Sequence, residues 1–509
     1  MFSKAYSAAI IGMDSLIVSV EADVSDGLPL FELVGYLGAE VKEARERVRI
    51  GLKNSGYPLP PKRITVNLSP GDIRKEGTRF DLSIAISILS SLGIVSKEEI
   101  ENTLIVGEIS LSGHVKPISG VLPVVCSAKE AGFKRCIVPL ENVAEGSVVS
   151  GIDVYGVSSL QETVLFLNKE LIKDPIKVCQ KTEFLEDKKY EYDFSDVVGQ
   201  PMAKRGIEIA AAGMHNILMV GTPGSGKTML AKRIPSIIPN LSMEESLEVS
   251  KIYSISGLLK NSKSFIQTRP FRSPHHTIST TALAGGGRIP MPGEISLAHL
   301  GVLFLDELPE FKRNAIEILR QPLEEYKITL SRVNGKCTYP ADFMLVAALN
   351  PCPCGFYPDR NKCNCSVNQV KAYLGKISRP LLDRIDISVE TQEVKISDLN
   401  KKKQEESSEE IKKRVEKVRE LQLKRYKHEG IFYNSQLSAK QIEIYCKLGD
   451  REEKLMYEAF KDMSLSARAY HRVLKVARTI ADLDGKEEID TTHLSEAVCY
   501  RGIDRKYWI

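Results

Sequence analysis

Ile217-Leu218-Met219-Val220-Gly221-Thr222-Pro223-Gly224-Ser225-Gly226-Lys227-Thr228-Met229-Leu230-Ala231 is the stretch on which the reading of this chain turns. Ile217 to Val220 is an apolar run of strand length, and Met229-Leu230-Ala231 opens an amphipathic helix. Between them stands G-x4-G-K-[ST], in the strand-loop-helix setting this pattern requires. Glycines let backbone N–H groups wrap a polyphosphate at a helix N-terminus. The Lys227 ammonium then reaches the terminal phosphates, and the Thr228 hydroxyl ligates magnesium. Gly221, Thr222, Pro223, Gly224, Ser225, Gly226, Lys227 and Thr228 are therefore the expected ATP-binding residues. The competing reading, a glycine turn with no ligand, weakens as the rest of the domain is read.

Val302-Leu303-Phe304-Leu305 is a second buried strand, and it ends in Asp306-Glu307. Asp306 suits the magnesium and Glu307 the base that polarises water, although carboxylates at a strand end also serve as helix caps. A third strand, Phe343 to Leu349, ends in Asn350, an amide placed to orient the attacking water. Open α/β sheets bind ligands outside the carboxyl ends of their strands, which is where all three runs place their polar residues. The expected chemistry is ATP hydrolysis.

The remainder of the chain sets bounds on that chemistry. A length of 509 residues suits about three domains, and 43% hydrophobic with 27% charged residues is ordinary globular composition. Lys+Arg 70 against Asp+Glu 66 leaves +4, which neither demands nor excludes nucleic acid. The apolar stretch from Ala8 to Val20 is interrupted by Gly12, Asp14 and Ser15, a poor signal peptide. No uninterrupted apolar run approaches the ~18 residues of a membrane helix. Ten cysteines are too sparse for a disulfide scaffold, so a reducing, cytoplasmic setting is expected. Residues 1–167 alternate β-rich runs with helical patterns and read as one α/β unit, 168–193 as a charged linker, 194–395 as the ATPase core, and 396–509 as helical. The charges of 401–418 read as a solvated helix face.

Cys352, Cys354, Cys363 and Cys365 form C-x-C-x8-C-x-C directly after Asn350. Four thiolates in a Pro/Gly-containing loop suit a structural zinc, with free or redox-active thiols as the alternative, since the spacing departs from C-x2-C pairs. Arg269 to Leu300 is too polar and glycine-rich for an ordinary helix, and carries Arg272, Arg288 and the pair His275-His276. Those histidines read as structural or inter-subunit residues ahead of metal ligands. Ile328 to Tyr339 reads as a hairpin turning at Asn334-Gly335, with Arg332 and Lys336 around its tip, either a cationic grip or a solvated turn.

GTPGSGKT, LFLDEL, AALNPCPCGFYPD, RPLLDRIDI and SARAYHRVLKVARTIADL, in this order, resemble the magnesium-chelatase-like AAA+ proteins of the ComM/YifB family across essentially the whole chain. The resemblance implies an α/β fold class. An N-terminal Lon-protease-like domain (ribosomal S5 domain 2-like) precedes a P-loop AAA+ domain with a parallel sheet and a C-terminal helical lid. It also implies a homo-hexameric ring with ATP between subunits. Arg384 would then be the trans-acting finger and Arg468 the lid's sensor arginine, with Arg472 and Arg379 as second choices. Both insertions would face the central channel, making Arg332, Lys336, Arg272 and Arg288 candidates for contact with single-stranded or branched DNA. The implied activity is an ATP-driven DNA motor or helicase promoting branch migration and strand integration in natural transformation or recombination, beside recombination proteins. The rivals are a magnesium-chelatase-type ATPase subunit driving metal insertion through a partner, and an ATP-dependent protease or unfoldase.

Lys75 to Asp81 and Leu111 to Leu122 look like the Lon catalytic fold, but the positions of its serine nucleophile and its lysine hold Arg79 and Leu122. Arginine forms no acyl-enzyme and leucine takes no proton, so the peptidase chemistry is expected to be lost and the fold kept. Ser83 and Lys116 are not obviously placed to substitute.

Overall fold

The computed structural model of the protein describes residues 1–176, 190–259, 265–332, 335–393, 405–463 and 465–508, without the side chains of 332, 335, 504 and 505. Residues 177–189 of the expected linker, 333–334 of the hairpin turn and 394–404 at the expected start of the lid lie outside the described residues. The chain forms two compact units. One is Met1–Glu186 with Met243–Gln267, and the other is Asp187–Ser242 with Thr268–Ile509. The sequence reading had placed all of 243–267 in the ATPase core; the chain instead makes an excursion there into the first unit.

The first unit is built on seven strands: β1 (Phe2–Ile11), β2 (Asp14–Ser25), β3 (Leu30–Val34), β4 (Arg63–Ser69), β5 (Thr103–Ile105), β6 (Arg135–Pro139) and β7 (Asp153–Val157). Their order across the sheet is β3-β4-β2-β1-β5-β6-β7. β2 pairs antiparallel with β1 and β4, and the other neighbours are parallel. The interrupted apolar stretch near the N-terminus is thus a β-hairpin, with Gly12 at φ +63° in its turn. The Asp81–Ser91 helix is buried along its whole length. It tolerates this because Ser83, Ser87 and Ser91 return their hydroxyls to carbonyls three residues earlier, at 2.8, 2.8 and 2.7 Å. The Met243–Ile255 helix joins this unit through Leu247, which packs on its core, and through Ser254, whose carbonyl accepts the Gly120 N–H at 3.0 Å.

In the second unit, β8 (Ile217–Gly221), β9 (Phe271–Arg272), β10 (Val302–Leu305), β13 (Met344–Leu349) and β14 (Ile387–Thr391) form a five-stranded sheet of order β9-β10-β13-β8-β14, parallel throughout. Between β10 and β13 the chain makes the expected hairpin, β11 (Lys327–Arg332) with β12 (Gly335–Pro340). β8, β10 and β13 are buried at every residue, as strands covered on both faces must be. Residues of the Pro201–Gly213, Lys227–Ile237, Ser408–Arg425 and Ala467–Leu483 helices share one core with those strands, so the helical region packs on the sheet. Within the helical region, Ala439–Tyr445 and Asp450–Asp462 are separate helices, with Gly449 capping the second. Among the described residues no helix is long and apolar enough to cross a membrane.

Asn216, just ahead of β8, clamps three strands together. Its amide donates to the Arg384 carbonyl (3.0 Å), its side-chain oxygen accepts the Leu345 N–H (2.9 Å), and its own N–H donates to Asp386 Oδ2 (2.9 Å). Burial alone would raise the Asp386 carboxyl, but Arg472, His215 and the Asn216 N–H outweigh it and hold it well below the usual range. Asp386→Ala should therefore strand the Arg472 guanidinium and lower the unfolding free energy by about 3–5 kcal/mol, read by urea denaturation. An unchanged midpoint would show that the clamp carries no stability.

Candidate nucleotide site

Parallel pairing sets the phosphate loop beside the two polar strand ends. Val220 pairs with Leu349, which brings Gly221 level with Asn350, and Leu305 pairs with Ala347, which carries Asp306 to the same edge. Gly224 and Gly226 adopt φ +77° and +86°, the left-handed conformation the loop needs before the Lys227–Ile237 helix begins. At Gly221 the reason for glycine is contact, since a Cβ would stand 2.1 Å from Thr391 Oγ1. The loop is braced from outside as well: Ser225 Oγ meets Thr391 Oγ1 at 2.7 Å, and Gln200 donates to the carbonyls of Ser225 (3.2 Å) and Gln392 (2.6 Å).

Lys227 and Asn350 come together as expected. The ammonium is buried and donates to the Gly221 and Thr222 carbonyls (2.8 and 2.9 Å) and to Asn350 Oδ1 (3.1 Å). Burial lowers its pKa, while the charges of Asp306 and Glu307 pull the other way. Thr228 Oγ1 donates to Asp306 Oδ2 at 2.6 Å, so the two expected magnesium ligands are neighbours. Glu307 sits at φ +52°, rare for a residue with a side chain, and its carboxylate is 53% exposed. His276 Nδ1 lies 3.7 Å from that carboxylate, with the His275 ring 4.1 Å from the His276 ring between centroids. The histidine pair thus stands beside the expected base, a contact that no local spacing announces.

Arg384 and Arg468 gather at a different point. Both reach Glu324 Oε1, at 2.6 and 3.3 Å. Arg384 is buried with its Nε unpartnered and lines a cleft with Thr280, Gln321 and Glu324, whereas Arg468 is largely exposed. Arg472 is committed to Asp386 and to the Arg384 carbonyl (2.9 Å). Arg379 begins the short Arg379–Leu382 helix. Glu324 was missed from sequence, because only the fold brings it to both arginines.

The four cysteine sulfurs lie within 4.8 Å of one another. Separations of 3.3, 3.8 and 3.5 Å for three of the pairs fit the edge of about 3.8 Å that tetrahedral Zn–S bonds of about 2.3 Å demand. The Phe356 N–H aimed at Cys354 pulls that thiol down to about 6, supplying a thiolate at neutral pH. The loop also touches the nucleotide site: a Cβ on Gly355 would stand 2.4 Å from Pro223 Cδ. Of the DNA-contact candidates, Lys336 is exposed, opposite Ser331 in the hairpin, and Arg288 is exposed in a turn. Arg272 is held by Glu294 through two 2.6 Å bonds, so its guanidinium is engaged within the unit, while the side chain of Arg332 lies outside the described residues.

Removing the buried ammonium leaves three oxygens facing the phosphates with no cation. Lys227→Ala should weaken ATP binding on the order of 100-fold, from the ~2–5 kcal/mol cost of truncating one partner of a buried charge contact. Titration with a fluorescent ATP analogue measures it, and wild-type affinity would remove Lys227 from the site.

Three parts of the chain match magnesium chelatase families. Residues 193–399 match magnesium chelatase, subunit ChlI; residues 20–142 match the subunit ChlI of Mg-chelatase; and residues 405–501 match the ChlI C-terminal family. The competence protein ComM of Haemophilus influenzae is 42% identical over 504 residues, covering 98% of this chain and 97% of that protein. The uncharacterized protein YifB of Escherichia coli is 43% identical over 505 residues, with 99% and 97% covered. Lon protease 2 of Bacillus subtilis is 37% identical over 128 residues, a quarter of this chain and 21% of that protein. With the parallel five-stranded sheet, the phosphate loop and these full-length likenesses in hand, the chain belongs to the ComM/YifB family of magnesium-chelatase-like AAA+ ATPases.

Proposed function

We propose that the protein is the subunit of a cytoplasmic homo-hexameric motor that spends ATP to move single-stranded or branched DNA, driving branch migration and strand integration in transformation or recombination. The observation that carries this reading is the separation of one catalytic set into two groups. Lys227, Thr228, Asp306 and Asn350 meet at the phosphate loop, while Arg384 and Arg468 meet at Glu324. An arginine finger supplied by a neighbouring subunit accounts for the Arg384 guanidinium being paired with Glu324 rather than with the phosphate loop of its own chain. The name of the Haemophilus relative, a competence protein, and the exposed Lys336 hairpin support DNA as the polymer.

ATP would lie against the loop N–H groups with Lys227 at its terminal phosphates. Magnesium, held by Thr228 and Asp306, would neutralise charge developing on the β- and γ-oxygens. Glu307 takes the proton of the attacking water, and Asn350 orients that water. Cys352, Cys354, Cys363 and Cys365 would hold a structural zinc that pins Gly355 against Pro223, bracing the phosphate loop from above. The protease reading has no chemistry to work with: Leu122 is wholly buried, Ser83 is buried with its hydroxyl on the Phe80 carbonyl, and Lys116 is exposed.

Glu307→Gln should bind ATP normally and hydrolyse it roughly 100-fold or more slowly in single-turnover assays; undiminished turnover would remove Glu307 as the base. Forked or single-stranded DNA should accelerate ATP hydrolysis, and Lys336→Ala should lose junction migration while keeping basal hydrolysis. Acceleration by a protein substrate and not by DNA would replace this reading with an unfoldase. Metal analysis of the purified chain should find one zinc, displaced in Cys354→Ser together with Cys363→Ser; a metal-free wild type would leave the four as free thiols.

A further inference from the structure

Loss of the peptidase residues explains why a serine is absent at position 79. It does not explain why a large cation is present. Arg79 faces two glycines, one from each of the segments that carry the Lon resemblance. A Cβ on Gly77 (φ +80°) would stand 3.9 Å from Nε and Nη2, and one on Gly120 (φ +79°) would stand 3.7 Å from Nη1. Nε and Nη1 are shut off from solvent and make no hydrogen bond, while the residue as a whole keeps partial exposure.

No carboxylate among the described residues pairs with this guanidinium. Asp81 is taken by Arg47 at 2.7 Å, and Glu108 by the Thr78 hydroxyl. Glu145 is spent on the Leu122 N–H (2.8 Å) and the Ser254 hydroxyl, so the start of the Val121–Glu130 helix is capped from within. Burial with nothing to offset it pulls the Arg79 guanidinium down to about 10, which leaves it charged at neutral pH. Two buried arginines show what full pairing looks like: Arg478 has Asp482 and two carbonyls, and Arg233 has Asp196 and two carbonyls. Nitrogens of a cation that are shut off from water and left unpaired are costly, and an apolar side chain of similar volume would avoid that cost.

We infer that Arg79 is an oxyanion-binding site, where the guanidinium between Gly77 and Gly120 takes the phosphate or carboxylate group of a ligand entering from the solvent side. The Nε–Nη2 edge of the guanidinium, on the Gly77 side, carries parallel N–H groups that match two oxygens of one such group. Glycine at 77 leaves room for those oxygens, since a Cβ there would meet nothing nearer than 3.9 Å, whereas at Gly120 the Ile10 Cδ1 stands 2.0 Å from where a Cβ would be and closes the Nη1 side. The Gly120 N–H is the one that holds the Ser254 carbonyl, so an occupant touches the loop on which the 243–267 excursion is seated.

The test uses the full-length chain carrying Lys227→Ala, which silences anion binding at the ATP loop. Hydrogen exchange and thermal unfolding are followed with inorganic phosphate and, separately, with acetate. At least one probe should slow exchange about threefold or more at residues 77–81 and 119–122. At ten times its Kd that probe should raise the unfolding midpoint by roughly 2–4 °C. A response to phosphate alone assigns a phosphate-bearing ligand, and a response to acetate alone a carboxylate. Adding Arg79→Met should abolish the response and, without either anion, raise the midpoint, because the unpaired charge is gone. Arg79→Lys, which keeps the charge and loses the fork, should bind the same probe about tenfold more weakly, and serves if Arg79→Met does not fold. Protection by neither anion, or protection that survives both substitutions, overturns the assignment.

Discussion

Parallel pairing on both flanks of β8 is the constraint from which the nucleotide chemistry follows. A strand that pairs in parallel with β13 on one side and β14 on the other has its carboxyl end at the same edge as theirs. Whatever residue follows each strand is then delivered to one line. Gly221, Asn350 and Asp306 reach that line because of register, not because of any affinity among them. Asn216 and Asp386 fasten the opposite ends of β8, β13 and β14, so register at the far edge is fixed by hydrogen bonds some distance from the phosphates.

That is why so much of the site was legible in the sequence. A phosphate loop, a carboxylate pair and an asparagine each follow an unbroken apolar run. Once the runs are read as parallel buried strands, their ends must coincide. The alternation of β-rich runs with helical patterns in residues 1–167 is likewise present in the first unit, for example in the Asp14–Ser25 strand and the Val121–Glu130 helix. What could not be read are contacts with no local signal. Nothing near Glu324 announces that it receives Arg384 and Arg468, and nothing near Gly355 announces Pro223. The 243–267 excursion was invisible for the same reason: a helix with buried Ser246, Val249 and Ile252 fits either unit by its pattern, and only the partner surface decides. Arg272 shows the opposite failing, since a cation in a polar insertion reads as available until Glu294 is seen beside it.

Glu307 shows how the local backbone serves the chemistry. Asp306 turns inward to Thr228, and its other oxygen accepts the Glu307 N–H at 3.0 Å, which fixes the peptide between them. The left-handed φ at Glu307 then throws its side chain away from the metal-side group and toward solvent and His276. Two adjacent carboxylates, which alternate strand geometry would also have parted, are in this way given separate tasks within one turn.

Lys227, Arg384 and Arg79 are each held short of full compensation, and they form a series. Lys227 is surrounded by neutral oxygens, with Asp306 and Glu307 acting on it only through space. Arg384 has one carboxylate and an idle Nε, and Arg79 has no carboxylate among the described residues. A chain selected for stability alone would replace each by an apolar residue or complete its pairing, since buried charges are net costs unless both are done well. In the proposed motor Lys227 and Arg384 would use the deficit, because a cation already satisfied by the protein has little left to offer a phosphate. The same physics applies to Arg79, in a unit that is similar in part to Lon protease 2. A guanidinium kept beside Gly77 with two of its nitrogens unpaired is maintained by something that binds there, not by the fold that surrounds it.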